Sequence, residues 1–216
     1  MLDAQKSSRC AAARPNQGQR WRLRFDRGQR IHARDGAGTA WRIVSGSVRL
    51  DREEPNGEQS FANLAIKGDV IGAETLLFGK YSFTATALTA CVLESWPEDR
   101  ASPVGDSLLR TLAKAERRAA EVITLRCGQA TERVRRLVMM LAHSAVEQPT
   151  RAAAAELQVT LPSRQDMADI TALTLETVSR MVSQLRHAGV LAPLDHGQRP
   201  SPSHFAVRQE AASDRC

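Results

Sequence analysis

Residues 164–189 read RQDMADITALTLETVSRMVSQLRHAG, a pattern that predicts two short amphipathic helices separated by a turn. Ser163 stands where a side chain can cap the first helix, and Asp166 follows as an acidic form of the capping box. Thr174 is the expected cap of the second helix, and Gly189 follows its end. The residues expected to face inward are Met167, Ala168 and Ile170 in the first helix, and Leu175, Val178, Val182 and Leu185 in the second.

The outer face of the second helix is polar, and its exposed residues are expected to be Glu176, Thr177, Ser179, Arg180, Ser183 and Gln184. A helix-turn-helix places such a helix in the major groove of DNA, with its N-terminal residues at the base edges. There Arg can donate two hydrogen bonds to guanine, and Glu can accept one from cytosine. An αα-corner in any helical domain has the same spacing, so the motif alone leaves both interpretations open.

Upstream, residues 21–105 have the pattern of short β-strands. WRLRF at 21–25 alternates apolar and basic residues, and PNG at 55–57 indicates a hairpin turn because Asn and Gly tolerate a positive φ. Further β-compatible runs are AWRIVSGSVRLDRE, SFANLAIKGDVIG and YSFTATALTACVLESW. Many short strands at this spacing predict an antiparallel sandwich or roll instead of a parallel sheet.

A helical run without proline extends over residues 108–146. Its apolar residues recur at steps of three, four or seven, and they are Leu109, Leu112, Ala119, Ile123, Ala130, Val134 and Leu137. The narrow stripe over residues 106–128 predicts a dimerisation helix, with Cys127 beside the seam. Packing of some turns against the chain's own core is the alternative. Gly128 is the expected break, which leaves residues 129–208 for the helix-turn-helix domain.

The composition is that of an ordinary soluble protein, with 42% hydrophobic and 25% charged residues among 216. No apolar run approaches the ~20 residues that cross a bilayer, and the N-terminus lacks the apolar core of a secretory signal. A cytoplasmic protein without a membrane partner is therefore expected. The net charge of +6 arises in residues 1–34, where nine Lys and Arg accompany two Asp. Residues 1–20 are expected to be a flexible basic arm, and residues 209–216 a disordered tail.

Four cysteines are scattered along the chain, at Cys10, Cys91, Cys127 and Cys216. They form no C-x-x-C pair, which argues against a zinc ribbon or a disulfide framework. Cys127 permits two interpretations. It is a thiol redox switch across the dimer axis, or it is a small apolar residue of a helix interface, which is the favoured interpretation.

Three stretches, in this order along the chain, resemble the Crp–Fnr superfamily of bacterial transcription regulators. GTAWRIVSGSVRL with PNGEQ and KGDVIG resembles its effector β-roll, and ATERVRRLVMMLA is similar to the hinge and helix after its dimerisation helix. LPSRQDMADITALTLETVSRMVSQLRHAGVL looks like its DNA-binding helix-turn-helix. The resemblance covers about residues 22–195. It implies an α+β fold with an N-terminal antiparallel β-roll, which is a jelly roll like that of cyclic-nucleotide-binding domains, a long dimerisation helix and a C-terminal winged helix-turn-helix.

Within the superfamily, the E-x-x-S-R pattern of Glu176, Ser179 and Arg180 resembles the Fnr and FixK branch. The resemblance implies that these side chains read a TTGA-type half-site. The helix Leu175–His187 of each subunit then enters one of two successive major grooves of an inverted repeat. The implied partners are double-stranded DNA, a second copy of the chain and RNA polymerase, and the implied role is activation of transcription. Further candidate DNA contacts are Thr174, Thr177, Ser183, Arg164 and Arg199.

The effector pocket of this superfamily corresponds to GAETLLFGKYSFTATAL at residues 72–88, and its candidate residues here are Gly72, Glu74, Ser82 and Thr84. The Arg that clamps a cyclic phosphate in the family is replaced by Ser82 or Phe83. A buried phosphate without a cationic partner is costly. The departure therefore disfavours cyclic AMP.

Other cofactors are constrained by the available ligands. Only Cys10 and Cys91 are available for an iron–sulfur cluster of the Fnr kind, which disfavours that cluster. No cofactor is predicted, although His32 or Cys91 as a haem ligand stays open. A lone His in a strand region is more often structural.

The final stretch LAPLDHGQRPSPSHFAV at residues 191–207 is expected to form the wing hairpin, but Pro200 and Pro202 are expected to break its second strand. Arg199 remains a candidate phosphate contact there.

Two other classes of function stay open from the residues alone. A cupin-like metal enzyme would use the roll, but it needs several His and carboxylate ligands, and the roll contains only His32. A ligand-binding module would use the helical end to contact a protein partner instead of DNA. The leading prediction is a transcription regulator that is not an enzyme and has no metal site.

Overall fold

The computed structural model describes residues 21–96, 104–143, 157–194 and 204–207. The predicted arm, the predicted tail and Arg199 lie outside these residues. Residues 21–96 form two four-stranded antiparallel sheets, with strand orders β1-β8-β3-β6 and β2-β7-β4-β5. The strands are β1 (Arg22–Phe25), β2 (Arg30–His32), β3 (Ala40–Ser45), β4 (Ser47–Glu53), β5 (Gln59–Ile66), β6 (Val70–Ile71), β7 (Thr84–Ala87) and β8 (Cys91–Trp96). This is the predicted antiparallel roll.

Alternating side chains fill the interior of the roll, as period-two strands require. In β7 every second residue is buried, and the buried residues of the interior include Ile43, Val48, Ala65, Ala85 and Leu93. Two turns depend on glycine. At Gly46 φ is +88°, and a Cβ would lie 2.4 Å from the Ala90 carbonyl oxygen. The predicted PNG turn is present with φ of +81° at Gly57, and Glu54 N donates to Glu58 O at 2.8 Å.

The helical run after the roll is divided into two separate helices. A short α1 (Thr75–Phe78) lies within the roll, and α2 (Val104–Thr124) and α3 (Ala130–His143) follow it. Gly128 adopts a φ of +86°, and Arg136 Nη1 donates to the carbonyl oxygens of Thr124 and Cys127 at 3.0 Å each. These hydrogen bonds satisfy the carbonyl of the last residue of α2 and one carbonyl of the turn that follows. The helix therefore ends four residues before Gly128, the residue at which the sequence places the break, and residues up to Gly128 form a turn.

The apolar stripe predicted over both helices is divided between two environments. Val134 and Leu137 on α3 are fully buried in the chain's own core, whereas Leu109, Leu112 and Ile123 on α2 are 48–66% exposed. The two interpretations of the stripe therefore apply to different turns of the run. Packing against the chain's own domain holds for the turns of α3, and the exposed stripe is confined to α2.

The C-terminal part is a winged helix-turn-helix, built from β9 (Leu157–Thr160), α4 (Arg164–Thr171), α5 (Leu175–His187), β10 (Leu191–Pro193) and β11 (His204–Val207). The three strands form an antiparallel sheet in the order β10-β11-β9. The predicted wing hairpin is present, because β11 pairs antiparallel with β10 and, on its other side, with β9. Pro200 and Pro202 lie outside the described residues, and β11 begins after both of them.

One hydrophobic cluster joins the roll to the helices. It includes Phe61 and Leu64 of β5, Leu125 after α2, Leu137 of α3 and Ile170 of α4. Burying each such side chain contributes about 1.5–3 kcal/mol to folding. The architecture is the predicted α+β fold. The described helices include none that is long and apolar enough to span a membrane.

Candidate nucleic-acid interface

The first helix of the helix-turn-helix begins at the predicted cap. Ser163 Oγ accepts a hydrogen bond from Asp166 N at 3.0 Å, which satisfies one of the unpaired amides of the first turn. Met167, Ala168 and Ile170 are buried, as predicted. Thr171 is also fully buried, and its hydroxyl donates to Met167 O at 2.6 Å.

The turn between the helices depends on one unusual backbone conformation. Ala172 has φ +52° and ψ +48°, a left-handed conformation that a residue with a Cβ adopts rarely. Its N–H donates to Ala168 O and closes α4. Thr174 then begins α5, where its Oγ1 accepts from Thr177 N at 3.2 Å, so the predicted cap is confirmed.

The buried stripe of α5 differs from the predicted stripe at one position. Val178, Val182 and Leu185 are buried, but Leu175 is 49% exposed and Met181 is buried in its place. Leu175 is the first residue of the helix, where the chain has not yet turned toward the core. Residues 178, 181, 182 and 185 follow the i, i+3, i+4, i+7 pattern of a helix packed on one side.

The polar face of α5 is exposed near its N-terminal end. Glu176, Ser179 and Arg180 all face solvent. The side chains of Glu176 and Arg180 make no hydrogen bond or ion pair with any other residue that the structure describes. An unpaired carboxylate and an unpaired guanidinium are therefore available, on adjacent turns, for groups outside the chain.

Other predicted contacts are partly committed to the fold. The Thr174 hydroxyl donates to Thr177 Oγ1 at 2.8 Å, and Thr177 is half-buried. Ser183 is exposed, but its hydroxyl donates to Ser179 O at 3.0 Å. The hydroxyl protons of Thr174 and Ser183 are therefore used within the helix-turn-helix, whereas the Thr177 hydroxyl accepts a hydrogen bond there.

Arg164 lies half-buried in the first turn of α4, and burial lowers the pKa of its guanidinium, with the nearby charge of Arg186 as a further cause. The guanidinium of Arg186 stands 5.9 Å from the ring of Phe205 in the wing sheet. The sequence analysis makes no prediction for Arg186, which lies in the last turn of α5. Its one signal was a basic residue at a helix C-terminus.

The predicted dimer seam is an exposed apolar stripe on α2. Leu109, Leu112 and Ile123 are exposed, and Ala119 is half-buried. Cys127 is exposed too, but it lies in the turn after the helix, with its Sγ 3.5 Å from Ile123 O. With Ala119 included, these residues follow one another at steps of three, seven and four, so they form one exposed apolar stripe along α2.

The residues predicted for the effector pocket are engaged with the protein itself. Glu74 Oε1 accepts from Ser82 N at 3.0 Å, and Thr84 Oγ1 accepts from Arg34 N at 3.1 Å. Tyr81 packs against Gly72, where a Cβ would lie 2.6 Å from the Tyr81 ring. Tyr81 is buried, and its hydroxyl donates to Thr39 O at 2.7 Å. The structure therefore places an aromatic side chain beside the predicted phosphate site.

A separate cavity of about 80 Å³ lies between the roll and α2. Its polar lining includes Arg42, Asn63, Asp69, Lys114 and Arg118. Arg118 Nε donates to Asp69 Oδ2 at 2.9 Å, which neutralises part of the charge. The volume suits a few water molecules and is below the ~300 Å³ of ordinary ligand pockets.

The two candidate haem ligands occupy different surroundings. His32 stacks flat on Tyr81, and burial lowers the pKa of its imidazole to about 4. Cys91 Sγ donates to Ser47 O at 3.1 Å, and burial raises the pKa of its thiol. Within the described residues no group of three His, Cys, Asp or Glu side chains is placed to hold a metal ion.

Two protein families match the chain in the order of its two domains. The family of cyclic nucleotide-binding domains matches residues 22–102, and the family of bacterial regulatory proteins, crp family, matches residues 163–191. The first covers the roll. The second covers α4, the turn and α5, including all three residues predicted to read bases.

Curated relatives match both parts together. The transcriptional regulator LdrP of Thermus thermophilus is 30% identical over 172 residues, which are 78% of this chain and 86% of LdrP. The nitrogen fixation regulation protein FixK of Azorhizobium caulinodans is 32% identical over 182 residues, which are 80% of this chain and 69% of FixK.

Solved structures agree with the fold. TTHB099, a CRP-family transcriptional regulator from Thermus thermophilus, has a TM-score of 0.64 at 26% identity, over 87% of this chain and 92% of its own. FixK2 from Bradyrhizobium japonicum has the same TM-score at 24% identity and supports the fold alone, over 88% and 93% of the two chains. These matches identify the helix-turn-helix as a DNA-binding domain of a transcription regulator. The chain belongs to the Crp–Fnr superfamily of bacterial transcription regulators, in its Fnr/FixK-like branch.

Proposed function

We propose that the protein is a homodimer that activates transcription by binding an inverted repeat of TTGA-type half-sites through α5 of each subunit. One observation carries this proposal. Glu176 and Arg180 are exposed on the first two turns of α5, and neither side chain has a partner among the described residues. Opposite charges held apart on a rigid helix match the donor and acceptor pattern of base edges in the major groove.

The roles of the side chains follow from their chemistry. Arg180 donates two hydrogen bonds to a guanine, and Glu176 accepts from a cytosine amino group on the opposite strand. Ser179 lies between them on the exposed face and contacts a base or a phosphate. Arg164 and Arg199 contact phosphates. These contacts fix the register of α5 on the duplex without reading sequence.

The dimer is supported by the stripe on α2. Leu109, Leu112 and Ile123 are 48–66% exposed, so covering the rest of each side chain contributes about 1–2 kcal/mol. Ala119 permits the close approach of a second helix between them. A two-fold axis along this stripe would present two α5 helices to successive major grooves, ~34 Å apart, so the proposed site is an inverted repeat.

The roll acts without cyclic AMP in this proposal. Ser82 or Phe83 stands at the position of the clamping arginine, and the Tyr81 ring lies against Gly72. An iron–sulfur cluster and a haem are likewise absent from the proposed mechanism, because Cys91 is a hydrogen-bonded thiol of the core and His32 is stacked on Tyr81. Titration calorimetry with cyclic AMP is expected to show no heat of binding, and the absorption spectrum of the purified protein no haem or cluster band.

Activation requires contact with RNA polymerase. The proposal is tested by genome-wide occupancy of the protein, followed by transcription in vitro with purified polymerase from an occupied promoter. We expect occupied sites to share an inverted TTGA-type repeat, and transcription to rise when the protein is added. Occupancy without a shared repeat would contradict the proposal for the site, and lower transcription would contradict activation alone.

A further inference from the structure

The roll and the helix-turn-helix touch through a cluster of arginines around Phe61 of β5. Arg49 and Arg126 both lie over the Phe61 ring, at 5.9 and 5.1 Å from its centroid. Arg49 belongs to β4 of the roll, and Arg126 to the turn between α2 and α3. Three separate elements therefore meet at one aromatic side chain.

Arg49 crosses the boundary between the domains. Its Nη1 donates to Asp169 Oδ2 at 2.7 Å and lies 3.4 Å from Asp166 Oδ1, and both carboxylates belong to α4. Its Nε donates to Asp51 Oδ1 at 2.6 Å within β4. Only 13% of the Arg49 side chain is exposed. Because three carboxylates surround its guanidinium, the Arg49 side chain is held in one orientation, unlike the side chains of a flexible surface ion pair.

Two further arginines hold the C-terminal end of α4. Arg126 donates to Ile170 O at 3.2 Å and to Asp169 O at 3.1 Å. Arg133 Nη1 donates to Thr171 O at 3.3 Å. Carbonyls at a helix end have no partners within the helix, and cations are favourable there. These three hydrogen bonds hold the end of α4 on α3 and on the turn before it, whereas Arg49 holds the side of α4 on the roll.

The direction of α5 depends on α4 because few residues separate them. The turn Ala172–Leu173 is closed by Ala172 in its left-handed conformation, and Thr174 starts α5 directly. A rotation of α4 relative to the roll therefore carries α5 with it. In a dimer joined along α2, such a rotation changes the distance between the two α5 helices.

We propose that Arg49 is a positioning residue for DNA recognition. It fastens α4 to the roll and thereby sets the spacing between the two α5 helices of the dimer. This inference rests on the proposed function, because the spacing matters only if a dimer binds an inverted repeat. Arg49 itself contacts no DNA in this scheme.

The test compares duplexes that differ only in half-site spacing. One carries the preferred inverted repeat, and two carry the same half-sites with one base pair added or removed at the centre. The affinity ratio between the preferred and altered spacing is measured by fluorescence anisotropy for the wild-type protein and for Arg49→Ala. Arg52→Ala is the matched control, because Arg52 lies on the same strand and is exposed.

Arg49→Ala is expected to lower the affinity ratio at least roughly tenfold, since two linked contacts reinforce each other only when geometry permits both. Arg52→Ala is expected to keep the wild-type ratio. A loss of folded protein lowers the active fraction on all three duplexes equally, so it leaves the ratio unchanged. The charge exchange Arg49→Asp with Asp169→Arg keeps three carboxylates around one guanidinium, and it is expected to restore most of the ratio.

Amide hydrogen exchange tests the role of Arg49 independently of DNA binding, so that failure of this inference and failure of the proposed function can be told apart. If the wild-type protein binds no inverted repeat, the proposed function fails, but faster exchange of the α4 amides in Arg49→Ala still shows that Arg49 holds α4. A wild-type spacing ratio in Arg49→Ala would overturn the inference. Unchanged exchange in α4 would overturn it as well.

Discussion

The imidazole of His32 lies flat on the ring of Tyr81, with centroids 3.7 Å apart and planes inclined by 6°. The Nδ1 atom of His32 is buried and has no hydrogen-bond partner within the described residues. Tyr81 in turn packs against Gly72 and donates to Thr39 O. This stack occupies the side of the roll where the sequence predicts an effector site, and it makes the stability of the roll depend on a neutral imidazole.

His32 is expected to make the protein less stable in mild acid. Burial lowers its pKa from 6.5 to about 4, so the unfolded chain takes up a proton first as the pH falls below 6.5. Stability therefore falls between pH 6.5 and pH 4, by at most about 3 kcal/mol from this group. His32→Phe keeps a stacked ring and removes the titration. Urea unfolding at pH 7 and pH 5 is expected to show a smaller difference for His32→Phe than for the wild type, and an equal difference would refute this role.

A charge placed in the apolar stripe of α2 is expected to prevent dimerisation. Ile123→Glu puts a carboxylate on each side of the proposed axis, where neither has a cationic partner, and burying an unpaired charge is costly. Sedimentation is expected to show monomers at concentrations where the wild type is dimeric. Arg110→Ala changes an exposed residue of the same helix outside the stripe and is the control. A dimeric Ile123→Glu protein would place the interface elsewhere.

Glu116 interrupts the same stripe. It lies four residues after Leu112 and three before Ala119, and it is exposed in the single chain. In a parallel two-fold pair, Glu116 faces its own copy, and like charges in contact oppose association. Glu116→Leu is therefore expected to tighten the dimer, measured as a lower dissociation constant in a dilution series. A weaker dimer would show that Glu116 has a cationic partner on the second chain.

Local features could be predicted from the sequence because they depend on neighbouring residues. Ser163, Thr174 and Gly57 occupy the predicted caps and turn, since capping and turn chemistry act within three or four positions. The exposed face of α5 followed from its periodicity in the same way. The resemblance to a family supplied the order of the domains, which no local rule supplies.

The structure differs from the sequence predictions where contacts between residues far apart in the chain determine the packing. Leu175 is exposed although its spacing fits the buried stripe, because the contact of α5 with the core begins only at Val178, one turn later. The wing sheet also contains β9, which lies more than forty residues before β11 in the chain, and no pattern within the wing itself indicates this pairing. Arg49 reaches Asp169 across 120 positions, and no sequence pattern indicates such a contact. The Tyr81 ring against Gly72 is likewise a product of packing.

The central claim is that α5 reads bases as part of a dimer, and the affinity of the purified protein for a duplex with an inverted TTGA-type repeat tests it most directly. We expect two chains per duplex, much weaker binding to a scrambled duplex, and a loss of about 1–3 kcal/mol of binding free energy in Arg180→Ala, confined to the base that Arg180 contacts. Arg110→Ala is expected to bind as the wild type does. Equal affinity for the repeat and the scrambled duplex, or an Arg180→Ala protein that keeps wild-type specificity, would contradict the account.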